Sequence, residues 1–114
     1  MKGLVATIAA LAVLSFFIGC SHKPPSVRVS NERTTKANVQ FKQANGNTIN
    51  HNDVAPGSSS NFQDAAVGVI VVTAVIQNEN VSPTTAFTAV NDNNFTVVIL
   101  NSSPPTLRVD TQSK

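Results

Sequence analysis

Val69-Ile70-Val71-Val72-Thr73-Ala74-Val75-Ile76 is the stretch whose reading decides the fold. Every residue in it but Ala74 is branched at Cβ. Such side chains lose rotamer freedom in a helix and pack well on a pleated surface, so the run reads as a strand. Both of its alternating faces are apolar, which predicts a central strand covered on both sides.

Working outward, the flanking segments alternate with period two. Val27 and Val29 alternate with Arg28 and Ser30; Ala37, Val39 and Phe41 alternate with Asn38, Gln40 and Lys42. Both patterns predict strands with one wet face. Asn45-Gly46 predicts a type I′ hairpin turn, because both residues accept positive φ, with a return strand near Thr48–Asn52. Val54-Ala55-Pro56-Gly57 predicts a second turn, and a strand near Ser59–Gln63 would point Phe62 inward. Thr85–Val90 and Phe95–Asn101 predict a hairpin across Asn91–Asn94, and Thr106–Asp110 closes the chain with Leu107 and Val109 inward. Alternation puts Phe41, Phe62, Phe87 and Phe95 inside. Seven or eight short strands, with no helical stripe after residue 26, predict an all-β, immunoglobulin-like or transthyretin-like Greek-key sandwich over residues 27–112, a small barrel being the alternative.

The first nineteen residues have a different character. Met1-Lys2 is a short positive start, and Leu4–Ile18 is uncharged, with only Thr7 and Ser15 as polar breaks. That run has the length of a signal-peptide core and falls short of the roughly 20 apolar residues that span a bilayer. Phe17-Ile18-Gly19-Cys20 follows. It resembles the lipobox of bacterial lipoproteins, in which a small residue precedes a cysteine that is lipidated before cleavage. The resemblance implies a signal peptide over 1–19, cleavage between Gly19 and Cys20, and acyl chains such as palmitate on Cys20. It also implies a protein attached to a membrane by that lipid. Phe17 departs from the usual Leu or Val of the motif. Ser21 in place of Asp favours the outer membrane, on its periplasmic or surface side, under the Gram-negative sorting rule that the same resemblance brings. Residues 20–26, with Pro24-Pro25, read as a lipidated cysteine on an extended tether reaching about 20 Å.

The mature part also resembles a family of exported bacterial β-sandwich domains that has no assigned activity. Val27-Arg28-Val29, Asn45-Gly46, Pro56-Gly57 with Phe62, and Phe95-Thr96-Val97-Val98 carry that likeness. It implies a fold and no chemistry.

Composition narrows the function further. All but Lys2 of the eight Lys and Arg residues lie in the mature part, against six Asp and Glu, and they never form a dense run. Nucleic acid is therefore not an expected partner. Cys20 is the single cysteine, so no disulfide can form within the chain. The thirteen asparagines read chiefly as turn formers. The mature chain has no Tyr or Trp, the usual anchors of adhesive interfaces.

No catalytic residue, metal ligand or cofactor is assigned. The one place where an imidazole lies beside a carboxylate is His51-Asn52-Asp53, with Ser58-Ser59-Ser60 close behind. Sequence neighbours on a strand point to opposite faces, whereas a triad must converge in space, so His51 reads as an exposed strand-end residue. After cleavage His22 is the third residue, and a free amine, two amides and its imidazole could wrap Cu(II) or Ni(II), unless Cys20 is N-acylated. The function expected is a binding or structural role in the cell envelope, with a protein partner there. Loops at Asn31–Lys36, Asn78–Thr84 and Asn91–Asn94 would be grouped at one end. The alternative is a small envelope enzyme or enzyme modulator using His51 and Asp53.

Overall fold

The computed structural model describes residues 22–114. The expected signal peptide over 1–19, with Gly19, and the expected lipidation site Cys20 lie outside the described residues. Eight strands follow one another: β1 Ser26–Asn31, β2 Ala37–Lys42, β3 Thr48–Val54, β4 Gln63–Asp64, β5 Gly68–Ile76, β6 Thr84–Ala89, β7 Asn93–Ile99 and β8 Leu107–Ser113. They form two four-stranded sheets, ordered β4-β1-β7-β8 and β3-β2-β5-β6. The protein is a small all-β sandwich.

The core is made by the inward side chains of both sheets. Val27, Val29, Phe95, Val97 and Ile99 face Val39, Phe41, Ile70, Val72, Ala74 and Ile76, all buried. β1 and β7 pair in parallel, Val27 opposite Phe95 and Val29 opposite Val97, which joins the two chain ends in one sheet. Parallel neighbours cannot be linked by a tight turn, so residues 32–92 cross to the other sheet and back twice between them, β4 rejoining the first sheet on the way.

Several expectations are corrected. β5 is central within its sheet, between β2 and β6, but only one face is covered. Ile70, Val72, Ala74 and Ile76 are buried, while Val69, Val71 and Val75 are exposed. An uninterrupted apolar run cannot say whether a second layer exists. Phe62 is 39% exposed, with the Arg28 guanidinium 4.4 Å from its ring centre. The strand expected to carry it is reduced to one bridge, Ser30 to Ser59, and to the two residues of β4. β6 and β7 are not a hairpin: β6 pairs with β5, β7 with β1 and β8, and Asn91-Asp92 carries the chain from one sheet to the other.

The hairpin turn after β2 is also of a different type. Gly46 has φ of 89°, and Asn45 is not among the positive-φ residues. The Gly46 amide donates to the Gln43 carbonyl, and the Gln43 amide to the Asn47 carbonyl. This is a longer loop with glycine at its left-handed position, which needs only one residue of positive φ.

The tether is shorter than the sequence suggests. Pro25 is fully buried, and its carbonyl accepts from the Ala65 amide. The Asp92 amide donates to the Lys23 carbonyl, and Lys114 Nζ to the Pro24 carbonyl. The chain is thus bound to the domain from His22 onward.

Candidate functional site

Strand connectivity gives the sandwich two unlike ends. Residues 22–25, the β2–β3 loop, residues 65–67, residues 90–92 and Lys114 lie at the end where the chain enters, here called the proximal end. The loops 32–36, 77–83 and 100–106 lie at the opposite, distal end. The three loops expected to group together are therefore divided. Asn31–Lys36 and Asn78–Thr84 are distal, while Asn91–Asn94 is proximal.

Two side chains hold the distal loops in place. Asn31 is 1% exposed; its Nδ2 donates to the carbonyls of Thr35 and Val54, and its Oδ1 accepts from the Arg33 amide. The Arg33 guanidinium, with its side chain only 10% exposed, donates to the carbonyls of Leu100 and Ser102 and pairs with Glu79 at 2.7 Å. One cation thereby joins three loops from different parts of the chain. Arg33→Ala is expected to lower unfolding stability by about 2–3 kcal/mol, because two carbonyls and a half-buried carboxylate lose their donor. Chemical denaturation measures it, and Arg33→Lys should recover less than half, since an ammonium cannot span the same fork.

His51 is not an exposed strand-end residue. It lies within β3 opposite Val39, facing inward, edge-on to Phe41 with ring centres 5.5 Å apart. Its Nε2 is buried without a partner. Asp53 sits two residues on, at positive φ, exposed and 3.4 Å from Lys36 Nζ. Ser58 Oγ donates to the Ala55 carbonyl and Ser60 Oγ accepts from the Val29 amide. No hydrogen bond joins His51 to Asp53 or to either serine among the described residues. The reason is the β-bulge between Ala37 and Val39, which turns Asp53 toward the Asn38 side chain.

Burial pushes the His51 imidazole below its ordinary value of 6.5. The folded chain then binds its proton less tightly than the unfolded chain. Stability from this residue is complete above about pH 6.5 and declines as pH falls through the lowered folded value. Denaturation midpoints on either side of that range should show the loss in the wild type and little of it in His51→Gln.

At the proximal end His22 Nδ1 lies 2.9 Å from Asp92 Oδ2, and the Lys23 amide donates to Asp92 Oδ1 at 3.0 Å. The Lys23 amide first, and then His22, hold the Asp92 carboxyl below its usual value. A square-planar metal would have to take the same Nδ1, so the copper or nickel arrangement competes with this contact.

The two open faces differ in chemistry. On the β4-β1-β7-β8 face both arginines are already engaged: Arg108 meets Asp110 through two bonds of 2.9 and 3.1 Å, and the Arg28 Nε donates to Thr96 Oγ1. On the β3-β2-β5-β6 face Asn38, Gln40, Asn50, Asn52 and Thr73 surround Val75 in an open depression of about 230 Å³. Three of these amides, Gln40, Asn50 and Asn52, spend no side-chain hydrogen bond on the described residues. They come together through register alone, Gln40 lying between Asn50 and Thr73. The depression occupies the distal half of the face. The sequence placed Asn38 and Gln40 on the wet face of a strand but counted the asparagines chiefly as turn formers, and the alternation of Asn38, Gln40, Asn50 and Asn52 on paired strands was the signal that could have identified them as one cluster.

No known protein family matches the chain, and no curated protein does. Among solved structures, the NMR structure of a protein from Eubacterium rectale is similar, with a TM-score of 0.60. The likeness covers 80% of this chain and 90% of that chain at 20% identity. It shows the fold alone.

Proposed function

We propose that the protein is a bacterial lipoprotein, held to the outer membrane by acyl chains on Cys20, whose β-sandwich is a binding module of the cell envelope. Gly19-Cys20 after an apolar run supports the anchor. The observation that carries the binding role is the depression of unspent amides around Val75. Carboxamides both donate and accept without charge, which suits a neutral polar ligand such as a peptide backbone or sugar hydroxyls. A rigid sheet holds them in fixed register, so little order is lost on binding.

A photo-reactive side chain at Asn50, introduced in the membrane-attached protein in living cells, tests this reading. It should give a discrete adduct that the same probe at Arg108, on the opposite face, does not. Equal smears or no adduct at both positions would contradict it. The second reading, an enzyme or modulator using His51 and Asp53, has less support because the two side chains face opposite ways. If it holds, His51→Ala abolishes an activity and Asn50→Ala leaves it intact.

A further inference from the structure

Chain geometry sets how close the domain stands to the bilayer. Backbone length allows at most about 7 Å between the Cα atoms of Cys20 and His22. His22 is fixed on the domain surface by Asp92, with the Lys23 amide and carbonyl bonded to the same residue. An acylated Cys20 therefore leaves almost no free linker, and the proximal end is brought to the headgroups.

That end is suited to the position. Val67 is 55% exposed, Val69 53% and Val90 44%. Val67 and Val69 flank Gly68 at the start of β5, and Gly68 lies opposite Ala89, so Val90 comes next to them. A Cβ on Gly68, whose φ is 128°, would stand 3.0 Å from that of Ala44, which brings the β2–β3 loop against the same patch. Lys23, Lys42 and Lys114 lie at the same end, the Lys114 ammonium held by the Pro24 carbonyl and Ser26 Oγ; Asp64 and Asp92 are the carboxylate side chains there, and Asp92 is already engaged by His22 and the Lys23 amide. The distal end has the opposite balance, with Glu32, Asp53 and Glu79 against Arg33 and Lys36.

We propose that the proximal end is a lipid-contacting surface: Val67, Val69 and Val90 enter the headgroup layer, and Lys23 and Lys42 meet anionic headgroups. This rests on the lipoprotein reading above. Three valines would not hold a free domain on a membrane. Next to a two-residue linker they need not, because the anchor makes the contact intramolecular. Branched, uncharged side chains flanked by lysines suit an interface in which the lysine stems lie along apolar surface while their heads reach phosphate. The domain then stands end-on, with the amide depression and the distal loops directed away from the bilayer.

The test uses the mature lipidated protein, purified from membranes and reconstituted in phosphatidylcholine vesicles with and without phosphatidylglycerol. Val67→Cys, Val90→Cys and the distal Val81→Cys each carry a polarity-sensitive fluorophore, and nitroxide-bearing lipids act as quenchers. All three positions are exposed, so the fold should tolerate them. The labels at 67 and 90 should shift to the blue and be quenched several-fold more than the label at 81, more strongly with phosphatidylglycerol present. Equal quenching at the three positions would overturn the inference and leave the anchor standing. So would a blue shift at 67 that persists in detergent without quenching, which would identify a second copy as the occupant. The intact mass of the same preparation separates the two claims: an unmodified Cys20 removes both.

Discussion

Cys20→Ser is expected to move the protein from the membrane pellet to the soluble fraction almost completely. Each acyl CH₂ buried in a bilayer contributes about 0.8 kcal/mol, so two or three chains hold a protein effectively for good, whereas the exposed valines beside His22 do not hold it alone. The variant also lacks the residue at which a lipoprotein signal is cleaved, so it is expressed behind a signal peptide whose cleavage needs no cysteine, which keeps the apolar run of Leu4–Ile18 from acting as an anchor in its own right. Fractionation in carbonate and in high salt measures the effect, because neither treatment extracts an acylated protein. A Cys20→Ser product that remained in the pellet under both would mean that something other than acyl chains retains it.

The second large effect is at Asn31. Asn31→Ala should cost about 3–4 kcal/mol of unfolding stability, because it leaves the carbonyls of Thr35 and Val54 and the amide of Arg33 without this side chain as a partner at a largely buried site. Asn31→Asp should cost more than alanine at neutral pH, since it sets a carboxylate against two carbonyl oxygens. That order is the informative result. If the side chain only filled space, the near-isosteric aspartate would be the milder change. Urea denaturation of the three proteins gives the ranking directly, provided the slopes agree.

How much of this was legible in the residues depends on the range of the interactions. β2 and β5 followed from alternation and β-branching, because both signals are local. The face that β5 leaves open did not, since Val69, Val71 and Val75 read the same whether or not another layer covers them. The partner of β7 was equally hidden. Asn91–Asn94 has the chemistry of a reversal, but turn residues do not say which sheet the next strand joins. Pro24-Pro25 looked like free tether because the residues that fix it, Ala65, Asp92 and Lys114, lie some forty to ninety positions away. The same distance concealed the clasp of Arg33 on Leu100, Ser102 and Glu79.

The candidate site divides along the same line. His51 and Asp53 attracted attention through adjacency, yet a bulge and the inward turn of the imidazole separate them. The amides of Asn38, Gln40, Asn50 and Asn52 are spaced two apart on strands that pair, so each was readable as outward-facing. Only the register of β2 with β3 and β5 brings them around Val75. Under the proposed function the two ends of the sandwich have different tasks, one set against lipid and the other, with the amide face, presenting polar groups to the envelope.

The central claim is that Cys20 becomes an acylated N-terminus, and the intact mass of the protein extracted from membranes tests it most directly. The account predicts a chain beginning at Cys20, heavier than its sequence by two or three fatty acyl groups, with the modification confined to the peptide that contains Cys20. A mass matching an unmodified chain, whether it begins at Met1 or at any later residue, would contradict it.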